Sequence, residues 1–333
     1  MICRSVFGVL GANIPAIIRG LIAVAWYGIQ TFLASAALDV VLIKLFPSLA
    51  PYAVVEDYGF AGLSALGWAS FLTLWVLQAC VFWRGMESIR RFIDFCGPAA
   101  YVVMLLLCGY LISQAGWSAI DLTLGEVTHT GWASVPVMLG AIVLVVSYFS
   151  GPMLNFGDFS RYGMSYAAVK KGNFLGLPVN FLVFSLLVVI TASLTLPVYG
   201  ELITPWNLYD NPEVIHYTLE TLGAFIGPLF GILIADYYLV RKQKVIVDDL
   251  FTMSEKGAYF YRKGYNPAAV IATVVGAVVA MIPVLFNDAP GMGTAAQYSW
   301  FIGCGLGFVV YHLLATRTRL AVRLPDRVAQ EAV

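Results

Sequence analysis

The hydrophobic positions of the chain form long continuous runs that are separated by short polar connections. A membrane-crossing helix needs about 20 mostly apolar residues. Eight runs reach that length, and they cover residues 19–42, 61–83, 95–115, 133–156, 174–199, 219–240, 267–286 and 298–316. Strands of a membrane barrel would alternate apolar and polar residues, so the continuous runs exclude a barrel. The pattern predicts an all-α polytopic membrane protein, with residues 1–333 forming a single transmembrane domain.

The connections between the runs alternate in basic charge. One set, residues 43–60, 116–132, 200–218 and 287–297, contains only Lys44. The other set and the two ends contain the remaining basic residues: Arg4, Arg19, Arg84, Arg90, Arg91, Arg161, Lys170, Lys171, Arg241, Lys242, Lys244, Lys256, Arg262, Lys263, Arg317, Arg319, Arg323 and Arg327. Because basic connections stay in the cytoplasm, this alternation predicts cytoplasmic N- and C-termini in a plasma or inner membrane protein.

The composition supports the membrane assignment and excludes other classes. Hydrophobic residues make up 60% of the chain and charged residues 11%, against roughly 25% charged residues in a soluble protein. The net charge is zero, which suggests no nucleic-acid partner. The five cysteines and three histidines are scattered without metal-ligand spacing. We therefore expect no metal site, no cofactor and no enzymatic activity.

The most informative polar positions in the first run are Trp26 and Gln30. Residues four apart lie on the same face of a helix. A flat ring with an amide beside it can stack on a planar heterocycle and hydrogen-bond its N–H and C=O edge. The alternative is a packing tryptophan beside an amide that bonds a neighbouring helix, which is common in membranes. The spacing alone leaves both interpretations open.

The fourth run contains a second candidate region around Ser150-Gly151-Pro152. A proline inside a helix removes one backbone hydrogen bond, so this segment predicts an interrupted helix. Interrupted helices at membrane depth line cavities, and transporters use them at substrate sites. Tyr148, Phe149 and Asn155 flank the predicted interruption.

Other residues in the runs have structural interpretations. Asp39 is expected to reach the interface or to pair with Lys44, and Gln78 to bond a neighbouring helix. Small residues every four positions allow close helix packing. The residues expected to have purely structural roles are Gly223, Gly227 and Gly231 in packing, Asp236 in a pair with the basic loop, and Trp117, Trp132, Trp206 and Trp300 as membrane-edge anchors.

Four segments together resemble the nucleobase:cation symporter family 1. They are Asn13–Arg19 leading into Trp26–Thr31, then Asn155–Tyr162, Gly227–Arg241 and Tyr298–Gly303. The resemblance covers nearly the whole chain. It implies a permease for uracil, allantoin, hydantoin or cytosine. It also implies a fold like that of the sodium-coupled leucine transporter, in which two five-helix inverted repeats precede two further helices.

The resemblance also implies roles for particular residues and partners. Trp26 would stack on the substrate ring and Gln30 would bond its edge. Phe149 takes the place where the family usually has a second tryptophan, with Tyr148 adjacent. The implied partners are a small heterocyclic substrate, a sodium ion or proton as the coupling cation, and the lipid bilayer.

Two departures from the family pattern change this expectation. The chain begins at a segment that resembles family helix three, and helices eight and nine have no counterpart between Ile203 and Thr204. The family sodium site lies between helices one and eight, so we expect that site to be absent. The leading hypothesis is a shortened secondary active transporter, a cation symporter. The alternative is a non-transporting fragment, or a regulatory or binding membrane protein that needs a partner chain.

Overall fold

The computed structural model describes residues 2–123, 130–204 and 213–317. This part of the chain is predominantly helical. Its helices are α1 (Ile2–Phe7), α2 (Asn13–Leu45), α3 (Val55–Tyr58), α4 (Ala65–Trp83), α5 (Met86–Ala115), α6 (Ser134–Ser160), α7 (Tyr166–Phe174), α8 (Asn180–Tyr199), α9 (Glu213–Ile234), α10 (Pro267–Leu285), α11 (Met292–Gln297) and α12 (Ser299–Arg317). A π-helical stretch, Leu175–Val179, joins α7 to α8, and another, Ala235–Val240, continues α9.

Eight helical segments in the described residues are long and apolar enough to cross a membrane, as the sequence predicts. They are Asn13–Leu45, Ala65–Trp83, Met86–Ala115, Gly131–Leu154, Tyr166–Tyr199, Ile215–Val240, Pro267–Leu285 and Ser299–Arg317. Some of them extend beyond the predicted apolar run. In α5 the additional first turns are polar and contain Glu87, which pairs with Arg90 and Arg91. Ion pairs one turn apart stabilise such polar helix ends.

The chain divides into two compact units. The first is drawn from Met1–Val24, Thr130–Tyr162 and Asn211–Val333, and the second from Ala25–His129 and Gly163–Asp210. That the whole chain acts as one transporter domain stays a prediction.

Close packing of α9 against α12 forms the centre of the first unit. A Cβ atom added at Gly227 would lie 2.2 Å from the Trp300 carbonyl oxygen, and one at Gly231 would lie 2.0 Å from the Cys304 carbonyl oxygen. Only glycine allows the two backbones to approach this closely. The packing role predicted for these glycines is confirmed.

Trp300 corrects one expectation, because it is a core residue and not a membrane-edge anchor. Its exposed fraction is 5%, and its ring centroid lies 5.6 Å from that of Phe230. The glycines of α9 bring α12 so close that the first turn of α12 is enclosed. Trp117 and Trp132 are exposed, as expected for edge residues, and Trp206 lies outside the described residues.

A buried polar network closes the end of α9 in the first unit. Asp236 is 1% exposed and pairs with Arg241 Nε at 2.7 Å, which confirms the predicted ion pair. The Tyr311 hydroxyl of α12 donates to Asp236 Oδ1 at 2.5 Å. Arg241 Nη2 also donates to the Ser5 carbonyl oxygen at 2.6 Å, and Tyr261 donates to the same carbonyl. The network thereby ties α1, α9 and α12 together.

In the second unit, polar side chains join α2 to α4. Gln78 Nε2 donates to Thr31 Oγ1 at 3.5 Å, which agrees with the interhelical role predicted for Gln78. Asp39 accepts a hydrogen bond from the Ser70 hydroxyl. The expected pairing of Asp39 with Lys44 is therefore replaced by a bond to α4, because α4 brings a buried hydroxyl directly against the carboxylate.

Candidate functional site

Trp26 and Gln30 lie one turn apart on the same side of α2, because the helix is continuous from Asn13 to Leu45. Trp26 is partly buried and Gln30 is exposed in the protein alone. The buried hydroxyl groups of α2, on Thr31 and Ser35, belong to the stripe that meets α4. Successive residues turn by roughly 100° around a helix, so Trp26 and Gln30 lie beside that stripe and not within it.

Tyr148 and Phe149 lie on α6, and the helix is continuous there. The predicted interruption at Ser150-Gly151-Pro152 is wrong, since α6 runs from Ser134 to Ser160 with Pro152 inside. A proline removes one backbone hydrogen bond, and a helix whose other bonds remain continues past it. The buried Ser150 hydroxyl also donates to the Ser147 carbonyl at 2.7 Å, one turn earlier.

The aromatic pair on α6 offers a partly accessible surface. Tyr148 is 43% exposed and Phe149 is partly buried. Their ring centroids lie 5.1 Å apart at an interplanar angle of 73°, an edge-to-face arrangement. The side chain of Asn155 lies outside the described residues.

The four predicted site residues lie in two pairs, one pair in each unit. Trp26 and Gln30 belong to the second unit, whereas Tyr148 and Phe149 belong to the first. That all four bind one substrate remains a prediction. Among the described residues, no group of three or more histidine, cysteine, aspartate or glutamate side chains is close enough to hold a metal ion.

A cavity in the first unit was not predicted from the sequence. Its volume is about 180 Å³, and its polar lining consists of Ser147 from α6, His216 and Glu220 from α9, and Gln297 from α11. His216 and Glu220 are four residues apart, which was the available signal in the sequence. The three histidines are scattered along the chain, so only this local spacing indicates that His216 has a polar neighbour.

In the described part of the chain, eight helices are long and apolar enough to cross a membrane, and these helices define an integral membrane protein. The fold is similar to that of two solved structures of Mhp1, a nucleobase-cation-symport-1 family transporter. The structure in a closed conformation with bromovinylhydantoin bound has a TM-score of 0.57 and 19% identity, covering 97% of this chain and 79% of Mhp1. The inward-facing structure has a TM-score of 0.55 and 17% identity, covering 98% and 79%.

Sequence relatives agree with this fold. The allantoin permease of Bacillus subtilis is 28% identical over 400 residues, covering 100% of this chain and 79% of the relative. The purine-uracil permease NCS1 of Arabidopsis thaliana is 26% identical over 353 residues, covering 85% and 58%. The hydantoin permease of Microbacterium maritypicum is 23% identical over 342 residues, covering 84% and 68%.

A family model described as "permease for cytosine/purines, uracil, thiamine, allantoin" matches residues 1–204 and 197–303. The chain therefore belongs to this family of transport proteins, and not to an enzyme family. The two matched segments meet at residues 197–204, where the sequence predicts an internal gap. The Bacillus alignment is 400 residues long although this chain has 333 residues, so the relative has internal residues without a counterpart here.

Proposed function

We propose that the chain is a secondary active transporter, a cation symporter that moves a nucleobase-like heterocycle such as uracil, allantoin, hydantoin or cytosine across the plasma or inner membrane. The family match over residues 1–204 and 197–303 carries this proposal. The named relatives include an allantoin permease and a hydantoin permease, which favours ring compounds that contain a urea group.

Four residues are proposed to bind the substrate. Trp26 stacks on the ring, and Gln30, one turn further along α2, bonds the N–H and C=O edge. Phe149 and its neighbour Tyr148 provide a second aromatic surface from α6. The partial exposure of Trp26 and Tyr148 supports this assignment, because an accessible aromatic surface is available to a ligand.

The orientation and the coupling ion are part of the same proposal. The distribution of arginine and lysine favours N- and C-termini on the cytoplasmic side of the lipid bilayer. The family alternatives for the coupling cation are sodium and a proton. Sodium coupling would require an ion site other than the family site, since we expect no counterpart of family helix eight in this chain.

A second candidate function is favoured by the internal gap. A chain that lacks residues present inside its relative is also suited to a regulatory or binding role, in which a partner chain supplies the missing helices. Purification under mild detergent conditions distinguishes the two functions. A stoichiometric membrane partner supports the second function, and uptake by the isolated chain refutes it.

Uptake of labelled uracil, allantoin and hydantoin into liposomes that contain the purified chain tests the leading function. Stacking of a ring on an aromatic side chain contributes about 1–3 kcal/mol, so Trp26→Ala should weaken apparent substrate affinity by about 5- to 150-fold. Trp83→Ala is the matched control, because Trp83 is 93% exposed. Equal effects of the two substitutions would refute the role of Trp26, and no uptake of any ring would refute transport by this chain alone.

A further inference from the structure

The cavity between α6, α9 and α11 has the size and the mixed polar and apolar lining of a ligand site. It lies wholly within the first unit, and its lining includes none of the four proposed substrate residues. Cavities of about 150 Å³ accommodate a benzene-sized ring, so a volume of about 180 Å³ suits one five- or six-membered ring with its substituents.

Glu220 is the side chain that requires an explanation in this cavity. It lies within the membrane-crossing segment Ile215–Val240 and is partly buried. Within the described residues its carboxylate forms no hydrogen bond and no ion pair, although its backbone carbonyl accepts a hydrogen bond from Ser299 Oγ at 2.7 Å. An acid within a membrane-crossing segment is costly, and such residues usually mark a substrate or ion pathway.

Two other acids in membrane-crossing helices have structural partners. Asp236 pairs with Arg241, and Asp39 accepts a hydrogen bond from Ser70. Glu220 instead faces a cavity, so stabilisation of the fold does not account for it. The bond from Ser299 holds the Glu220 backbone against the start of α12.

The remaining lining residues define the chemistry of a ligand. A carboxylate accepts N–H groups, and the Gln297 amide both donates and accepts. The Ser147 hydroxyl and the His216 ring add further polar groups, while aliphatic residues such as Leu144 and Leu219 suit the faces of a ring. This lining is complementary to a ring whose edge presents N–H groups beside C=O groups.

We propose that this cavity is a second binding site for single-ring heterocycles that present N–H donors at their edge, and that Glu220 excludes anionic rings. The choice of ligand class rests on the proposed function, whereas the position of the site rests on the cavity alone. A carboxylate attracts N–H donors and repels a ring that has its own carboxylate, so the site distinguishes uracil from carboxylated uracil.

Equilibrium binding of labelled allantoin and uracil to the purified full chain in lipid nanodiscs tests the proposal without requiring transport. Four proteins are compared: the unsubstituted chain, Trp26→Ala, Glu220→Gln, and Trp26→Ala combined with Glu220→Gln. Glu87→Gln is the control for loss of an acid, since Glu87 is an exposed residue of α5. Circular dichroism checks that each variant is folded.

We expect the Trp26→Ala protein to retain saturable binding, and the added Glu220→Gln substitution to weaken it about 10- to 100-fold, as for loss of a hydrogen bond to a charged group. Carboxylated uracil should bind more tightly to Glu220→Gln than to the unsubstituted chain. Glu87→Gln should leave all binding unchanged.

Three results would overturn the second site. The first is complete loss of binding in Trp26→Ala alone, which would leave the proposed function standing. The second is equal binding by Trp26→Ala with and without Glu220→Gln. The third is a Glu220-dependent binding of sodium without any heterocycle, which would make the cavity a cation site. The proposed function itself fails separately, if the unsubstituted chain takes up no ring into liposomes.

Discussion

Arg241→Met should destabilise the first unit strongly, because it leaves a buried carboxylate without its counter-charge. The Arg241 side chain is 7% exposed and that of Asp236 is 1% exposed, with Nε 2.7 Å from Oδ2. Methionine preserves most of the side-chain volume, so the substitution removes charge and hydrogen bonds more than packing. The Ser5 carbonyl loses one of its two donors and keeps the Tyr261 hydroxyl.

The expected loss follows from the burial of this pair. Removing one partner of a buried ion pair costs about 3–5 kcal/mol, because the remaining charge cannot return to water. Asp236→Asn added to Arg241→Met should recover part of that loss, since the neutral amide still accepts the Tyr311 hydroxyl. The remaining deficit is about 1–3 kcal/mol, the cost of a buried amide donor without a partner.

Reversible unfolding in mixed micelles with increasing sodium dodecyl sulfate, followed by circular dichroism, measures these free energies. Arg90→Met is the matched control, because Arg90 pairs with Glu87 at a site where both side chains are more than half exposed. It should leave the unfolding free energy unchanged. Equal stability of Arg241→Met and Arg90→Met would refute the importance of the buried pair. A double variant as unstable as Arg241→Met would refute the explanation by a buried charge.

Two further predictions concern packing and pH. Gly231→Leu should lower the unfolding free energy by more than the roughly 1–3 kcal/mol of ordinary overpacking. The reason is that its Cβ would lie 2.0 Å from a carbonyl oxygen of α12. Gly305→Leu is the control and should be nearly neutral in the same assay, because a Cβ at Gly305 meets nothing within 4 Å. Burial raises the pKa of Tyr261 and Tyr259 in the folded protein above the ordinary value near 10. The folded state then binds more protons than the unfolded state at alkaline pH, so the unfolding free energy should be constant up to about pH 9 and decrease above about pH 10. Tyr261→Phe should reduce that decrease, and an unchanged alkaline profile would contradict this assignment.

Local sequence patterns were sufficient where only one helix was concerned. Each membrane helix was found because a run of apolar residues must cover its backbone in lipid. The spacing of Trp26 and Gln30 placed both on one side of α2, because residues four apart in a helix lie one turn apart. Proline was less reliable, since Pro152 lies inside a continuous α6. One missing backbone hydrogen bond does not interrupt a helix whose other backbone hydrogen bonds remain, so a proline alone does not predict a helix break.

Contacts between helices far apart in the sequence were not predictable in this way. Asp39 meets Ser70 and not Lys44, because the relative position of α2 and α4 decides which polar groups face each other. Gln297 joins His216 and Glu220 at one cavity only because α11 packs near α9.

The sequence by itself determined that this protein crosses the membrane, where its eight long apolar helices lie and to which permease family it belongs. These properties follow from hydrophobicity and from motifs that are continuous along the chain. Tertiary structure alone decided that Trp300 lies in the core, that the Asp236–Arg241 pair is buried, and that Glu220 faces a cavity. Those outcomes depend on how closely helices approach, which is set by packing over long distances in the sequence.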